Sequence, residues 1–301
     1  QRVRLVYVFE CHHHTKNHWW QNSLFPILIL KKLAGVFLSI SMAFLPSHVD
    51  AQKYFSGHNE WGFAAGLSNY YGDFSSGLNT AHFKPSGGIY QKYNFSSYFA
   101  LRNQISYLEI EGTSADIKGL AFQNLNFQSK IYEASSMVEF NFHPFGMNIN
   151  DGAATPYFLL GLSGFWFDPY RLDKEEVNLR DLRTEQQKHS YSQLQPAIPI
   201  GFGVKTRASN RKNSGGWIVG AEVIFRKTFT DYLDDTRKSY GDFKTISDQQ
   251  GIGAAEYSQP QVLTGSAKLP QGTMRGDTHL KDWYYFMGLT FAYRFTPQVC
   301  R

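Results

Sequence analysis

Residues Trp283 to Phe295 read WYYFMGLTFAYRF and alternate without a break. Trp283, Tyr285, Met287, Leu289, Phe291, Tyr293 and Phe295 fall on one face of an extended chain. Tyr284, Phe286, Gly288, Thr290, Ala292 and Arg294 fall on the other, because side chains in a strand alternate with a period of two. Strands of soluble proteins cluster near about five or six residues, whereas a tilted strand crosses a bilayer in about 9–11. Two folds can use such a segment, a long-stranded sandwich or a membrane-spanning barrel, and the rest of the chain decides between them.

The same pattern recurs from Asn59 onward. Trp61, Phe63, Ala65 and Leu67 alternate with Gly62, Ala64, Gly66 and Ser68. A weaker segment over about Lys84 to Tyr93 sets Ile89 against Tyr90. Phe99, Leu101, Ile105 and Tyr107 oppose Arg102, Gln104 and Ser106, and Tyr132, Ala134, Val138, Phe140 and Phe142 oppose Glu133, Ser135, Glu139 and Asn141. Pro156 to Phe167 is apolar on both faces, so its lipid side is ambiguous. Ile198, Ile200, Phe202 and Val204 oppose Ala197, Gly201, Gly203 and Lys205, and Trp217, Val219, Ala221, Val223 and Phe225 oppose Gly220, Glu222 and Arg226. With Trp283 to Phe295 the segments make an even set of eight, the smallest number usual for an outer-membrane barrel.

The connections alternate too. Those over 70–83, 110–126, 168–191 and 227–281 are long, and those over 94–97, 143–155 and 207–216 are shorter. Long outer loops, short periplasmic turns and both ends in the periplasm are the habit of outer-membrane barrels. The sequence therefore predicts an all-β fold: an eight-stranded antiparallel transmembrane β-barrel over 59–295, with long extracellular loops and a plugged lumen. Its negative mean hydropathy is compatible with this, because only alternate residues of such a strand meet lipid.

Lys31-Lys32, the apolar run LAGVFLSISMAFL (Leu33 to Leu45) and Val49-Asp50-Ala51 have the layout of a secretory signal cleaved after Ala51. Residues 30–51 are read as that signal and 1–29 as upstream sequence ahead of a start at Leu30. Residues 52–58 are read as an N-terminal periplasmic segment and 296–301 as a tail. Processing would remove Arg2, Arg4, Lys16, Lys31 and Lys32 together with Glu10 and Asp50, bringing the formal +5 close to neutral. Nothing in that balance calls for nucleic acid. Cys11, His12, His13, His14 and His18 look like metal ligands, but a site needs a fold to hold them, and no metal or cofactor is expected. Only Cys300 would remain, so no internal disulfide can form.

An eight-stranded barrel has room for little more than its own side chains. Arg102, Glu133, Glu139, Lys205, Glu222, Arg226 and Arg294 all fall on the inward face. Charges of both signs in a narrow interior pair and fill it, which argues against a diffusion pore. An enzyme would need a nucleophile and a base. His82, His189 and His279 lie near serines and acids such as Asp168, Ser190 and Asp277, but no GxSxG or similar spacing accompanies them. No catalytic residue is assigned. Asp231, Asp234 and Asp235 in RKTFTDYLDD (Arg226 to Asp235) lack the spacing of a twelve-residue calcium loop. The stretch is expected to order its loop, with Phe229, Tyr232 and Leu233 packing and Asp231 capping backbone amides. Its basic half, Arg226 and Lys227, is the alternative contact for lipid phosphate.

Several fragments together resemble one family. EWGFAAGLSNYYGD, KPSGGIYQKYNF, VEFNFHPF, TPYFLLGLSGFWFDP, LQPAIPIGFGVK, FRKTFTDYLDD and DWYYFMGLTFAYRF resemble, in matching order, the PorG-like outer-membrane proteins of Bacteroidota. RKTFTDYLDD (Arg226, Lys227, Phe229, Asp231, Tyr232, Asp234, Asp235) is the most specific part, and the loops 111–126 and 236–280 carry little of the likeness. The resemblance implies an outer-membrane component of the type IX secretion system, in some species coupled to gliding. Its partners would be a periplasmic ring lipoprotein and that lipoprotein's partner, together with outer-membrane lipids, and its role would be anchoring or assembly without catalysis. The tail TPQVCR departs from the usual aromatic end. A ring contact would lie on the periplasmic side: the turn 143–155 with Phe145 and Asn148, the turn 207–216 with Arg207, Arg211 and Lys212, and the segment 52–59. A general small barrel for envelope integrity or surface-ligand binding is the alternative, and a lipid-modifying enzyme using His189 or His279 a more distant one.

Overall fold

The computed structural model describes residues 57–75, 80–146, 152–172, 176–208, 216–276 and 281–295. Residues 1–56 and 296–301, where the signal, the N-terminal segment and the tail are expected, lie outside the described residues. The chain forms β1 (His58–Tyr71), β2 (Lys84–Asn94), β3 (Phe99–Thr113), β4 (Asn126–Asn141), β5 (Ala154–Leu172), β6 (Glu176–Asn178), β7 (Leu194–Arg207), β8 (Gly216–Thr228) and β9 (Trp283–Arg294). β6 only extends the far end of β5. The other eight pair antiparallel with their neighbours in sequence, and β9 returns to β1, from Glu60↔Arg294 to Tyr71↔Trp283. Closure leaves the barrel wall without a free edge, which is what a sheet needs to sit in hydrocarbon.

Every strand expected from the alternation is present. The ends move by a few residues: β3 continues past Glu109 to Thr113 and β5 past Phe167 to Leu172. The ambiguity of β5 resolves, with Leu160 and Leu162 facing out and Tyr157, Leu159, Phe165 and Phe167 buried within. β5 is apolar on both faces because its inner half belongs to the aromatic filling of the upper lumen.

The outward face is a band of apolar side chains that includes Phe63, Leu67, Ile89, Val138, Phe202, Val204 and Leu289. Aromatic residues gather at its two margins, as at membrane interfaces. On the short-turn side Trp217 contacts Tyr293 and Tyr293 contacts Phe295, and a second chain runs through Phe95, Phe99, Phe140 and Phe142. Near the long-loop side Tyr107, Tyr132 and Trp166 form the counterpart. Inside, glycine makes room for large rings. A Cβ on Gly62 would stand 2.5 Å from the ring of Tyr90, and one on Gly203 would stand 2.5 Å from that of Tyr157. The alternation of small inner and large outer residues along β1 and β7 therefore reflects how the lumen is filled.

Strand order and direction put the connections after β1, β3, β5 and β8 at one rim and those after β2, β4 and β7 at the other. At the long-loop rim the chain builds a cap with helices at Leu179–Leu182, Phe243–Gln250 and Ile252–Ser258. Asp242 starts the second of these by accepting the amide of Thr245 at 2.8 Å, a standard N-cap contact. The main hydrophobic core lies under this cap: Tyr70, Phe74, Leu108, Phe127, Phe165, Leu233 and Tyr284 belong to one buried cluster.

Candidate functional site

The inward charges condense into three buried networks. At the short-turn end Arg294 reaches Glu60 at 2.9 Å, Lys92 reaches Glu60 at 2.7 Å and Glu139 at 3.2 Å, and Lys205 also pairs with Glu139. Next, Arg102 grips Glu222 with two parallel bonds of 2.7 and 2.8 Å. Tyr157 Oη donates to Glu222 at 2.6 Å, and the Arg102 guanidinium lies 4.0 Å over the Tyr90 ring. Nearer the cap, Arg226 Nε donates to both oxygens of Glu133 at 3.1 Å, and Tyr284 Oη donates to Glu133 at 2.6 Å. These side chains are almost wholly buried. In a low-dielectric interior each ion needs its partner, since an unpaired buried charge costs several kcal/mol.

Arg102, Glu133, Glu139, Lys205, Glu222, Arg226 and Arg294 thus all point into the lumen and meet opposite charge. Sequence reasoning missed Glu60 and Lys92, although a signal for both was there. Glu60 precedes Gly62 by two, and Lys92 follows Tyr90 by two, so both sit on the inward phase.

The short-turn mouth is closed by Phe145. This residue was expected to face a partner, and the structure corrects that. Its side chain is fully buried, folded back into the mouth, where Lys205, Arg294 and Arg207 stand 4.7, 5.2 and 5.7 Å from its ring. The turn is fastened there by Arg294 donating to Gly146 O at 3.0 Å and Arg207 donating to Gly152 O at 2.5 Å. A ring face attracts cations, which explains an aromatic residue among these three. Arg207 is half-buried and bonded to the same turn. Asn148, Arg211 and Lys212 lie outside the described residues.

The stretch after β8 is divided in its directions. Arg226 points inward, so it does not offer itself to lipid phosphate. Lys227 is exposed, with its ammonium 5.7 Å over the Trp283 ring. Phe229, expected to pack, is exposed, while Tyr232 stacks on Tyr191 with ring centroids 4.4 Å apart and Leu233 is fully buried. Asp231 was expected to cap backbone amides. It instead takes Lys281 at 2.8 Å and Arg237 at 3.7 Å, because both cations rise from the same loop beside it. Asp234 caps the turn, accepting the Thr236 amide at 2.8 Å. Asp235 adopts left-handed backbone (φ 59), a conformation Asp tolerates better than most residues. Its carboxylate collects Thr184, Tyr191 and Arg275. Burial lifts its pKa to about 6 against the pull of Arg275.

His82 bridges two acids, with Nδ1 2.9 Å from Glu111 and Nε2 2.6 Å from Asp116. Burial opposes its charge, but the hydrogen bonds to the two carboxylates prevail and raise its pKa. Asp168 is engaged by Asn178 and Gln193, and His189 is exposed. His279 lies outside the described residues. His82 and Asp168 thus spend their side chains on other partners and do not meet.

On the lipid side, a shallow depression of about 830 Å³ is lined by Ala65, Leu67, Phe202, Val204, Ala221 and Leu289 among others. It lies inside the apolar band.

The family model of a domain of unknown function, DUF6089, matches residues 36–266, which takes in β1 to β8 but not the closing strand β9. No curated protein sequence matches the chain. Among solved structures, the attachment invasion locus protein Ail of Yersinia pestis, in complex with the heparin analogue sucrose octasulfate, is 10% identical with a TM-score of 0.38, over 80% of this chain and 100% of that one. Neisserial surface protein A is 12% identical with a TM-score of 0.36, over 79% and 97%. OprG of Pseudomonas aeruginosa is 11% identical with a TM-score of 0.37, over 81% and 99%. The fold assignment itself rests on the closed strand ladder.

Proposed function

The chain belongs to the DUF6089 family, and from that premise we propose that the protein is a non-catalytic outer-membrane scaffold, the barrel that anchors the periplasmic ring of a type IX secretion machine. The observation that carries this reading is the double closure of the lumen, by paired charges and Phe145 at one end and by an aromatic core under the loop cap at the other. In this reading the lumen of a barrel filled this way is structural, and its useful surfaces are its two rims. The order of PorG-like fragments along the chain, RKTFTDYLDD above all, supports the specific assignment. In this reading the long-loop rim faces the exterior, both ends of the barrel are periplasmic, and the mature protein follows a signal cleaved after Ala51. The ring contacts the short-turn rim, with Arg207, Arg211 and Lys212 contributing charge and the turn 143–155 its backbone.

A second reading is favoured by the cap, where Phe122, Ile252, Leu263 and Met274 are exposed. Apolar side chains on an ordered surface suit a general barrel that binds ligands at the cell exterior. The test is a mild-detergent pull-down of the tagged mature protein from outer membranes, followed by mass spectrometry. Recovery of periplasmic ring proteins, lost on charge reversal at Arg207, Arg211 and Lys212 with the barrel still inserted, is the expected result. Recovery of the barrel alone, together with normal secretion in a deletion strain, overturns the anchoring role and leaves the surface-binding reading.

A further inference from the structure

The loop 229–282 is tied near both of its ends to a single hydroxyl. Tyr70 Oη, near the end of β1, lies 2.7 Å from Asp234 Oδ2 and 2.9 Å from Asp282 Oδ1. A phenol has one proton and can donate to only one of the two carboxyls. The contact with the other is a hydrogen bond only if that carboxyl carries a proton of its own. The remaining oxygens cannot hold it, because each already accepts a backbone amide. Thr236 N–H donates to Asp234 Oδ1 at 2.8 Å, and Leu233 N–H donates to Asp282 Oδ2 at 3.1 Å. The extra proton therefore sits on an oxygen facing the tyrosine.

The surroundings favour keeping it. Asp234 and Asp282 are almost fully buried. Asp73, from the connection after β1, and Asp231, from the same loop, add negative charge nearby. Three described cations of the cap are engaged elsewhere. Lys281 and Arg237 go to Asp231, and Arg275 goes to Asp235 and Glu185. Arg275 and Arg171 line a small cavity with Asp234, but they donate to Thr184 and to the backbone oxygens of Asp235 and Asn124. Burial, together with the neighbouring acids, pushes both carboxyls well above the usual aspartate range.

We propose that Asp234, Tyr70 and Asp282 form a one-proton latch that holds the loop cap shut and weakens as the pH rises. A carboxyl that keeps its proton when buried and loses it in water makes opening release one proton. Opening then grows by up to about tenfold per pH unit, from near pH 4, where free aspartate titrates, up to the raised titration of the pair, and levels off above it. The cap is tightest in acid.

The experiment uses the whole mature barrel, refolded in detergent micelles. Local opening of 229–282 is followed by hydrogen exchange from about pH 5 to 9, as a ratio to the short turn 95–98 of the same molecule, whose described hydrogen bonds run to backbone, Ser and Asn groups, which cancels the intrinsic pH dependence of exchange. Wild type should show the ratio climbing with pH. Asp234→Asn and Asp282→Asn supply the donor as an amide with no titrating proton, so each should flatten the climb above about pH 6, the value to which Asp235 of the same loop is raised, and keep the cap closed at the alkaline end. The infrared spectrum of wild type near neutral pH should carry a carboxylic-acid carbonyl band that at least one Asn variant lacks, a signature that packing alone would not produce. A flat ratio in wild type, Asn variants that follow wild type, or no acid band at neutral pH would each overturn the latch. If neither Asn variant inserts, the pH course and spectrum of wild type decide between the same outcomes.

Discussion

The barrel is closed twice, and the two closures are made of different materials. Toward the short turns the lumen is filled by ions that answer one another: Glu60, Lys92, Glu139, Lys205, Arg102, Glu222 and Arg294, with Phe145 beneath them. Under the loop cap it is filled by Tyr70, Phe127, Phe165, Phe167 and Leu233, and two of the acids nearby are held by a phenol. The first closure depends on rigid strands that fix charges opposite each other. The second depends on loops that bring apolar and acidic groups together. A buried ion pair is costly to break on one side and cheap to replace as a whole, whereas an aromatic core responds to lost volume. The two ends should therefore fail differently.

The largest effect is expected from Glu222→Ala, which strands Arg102 and should cost about 3–5 kcal/mol in urea unfolding of the micelle-refolded barrel. Replacing both residues, Arg102→Met with Glu222→Leu, should recover most of that loss. A double variant as unstable as the single one would show that packing, and not pairing, closes this half. Leu233→Ala in the cap should cost about 2–3 kcal/mol, and hydrogen exchange should place the loss in the loops with the strands unchanged. Exchange rising equally in β3 and β4 would mean that the two closures are one cooperative unit. Smaller again is His82→Gln, which should cost about 1 kcal/mol by removing a charge-assisted clip. The folded pKa of His82 is raised, so its contribution is complete below about pH 6.5 and is lost as the pH rises through the folded value. The gap between variant and wild type should therefore narrow in alkali, and a gap that widens there would refute the clip. Phe229→Ser should change stability by less than about 0.5 kcal/mol, because the ring is exposed.

The same contrast decides what was legible in the sequence. Period two places a side chain on one face or the other whatever its partner is, so the inward phase of Arg102, Glu139, Glu222 and Arg294 could be read residue by residue. Lys92 was missed because β2 alternates weakly, although it shares the phase of Tyr90, which is buried inside. The pattern fails where a strand is filled from within by apolar rings, as in β5, whose Phe165 and Phe167 look like lipid-facing residues. It also fails in the loops, where nothing repeats. That Tyr70, Asp234 and Asp282 meet follows from β1 running next to β9 and from the loop 229–282 folding back over the rim, and no spacing in the chain encodes that. Phe145 was misread for a related reason. A turn residue is exposed by default, and only the cations at the mouth, drawn from β7 and β9, explain why this one folds inward.

Conductance of the purified barrel in a planar lipid bilayer is the most direct test of a lumen closed at both ends by its own side chains. Wild type at neutral pH should remain silent, and Glu222→Ala, if it inserts, should give at most brief, small openings. Stable, resolved ion-conducting steps from the wild-type barrel would contradict the account, because the paired charges and Phe145 described above would then not fill the lumen.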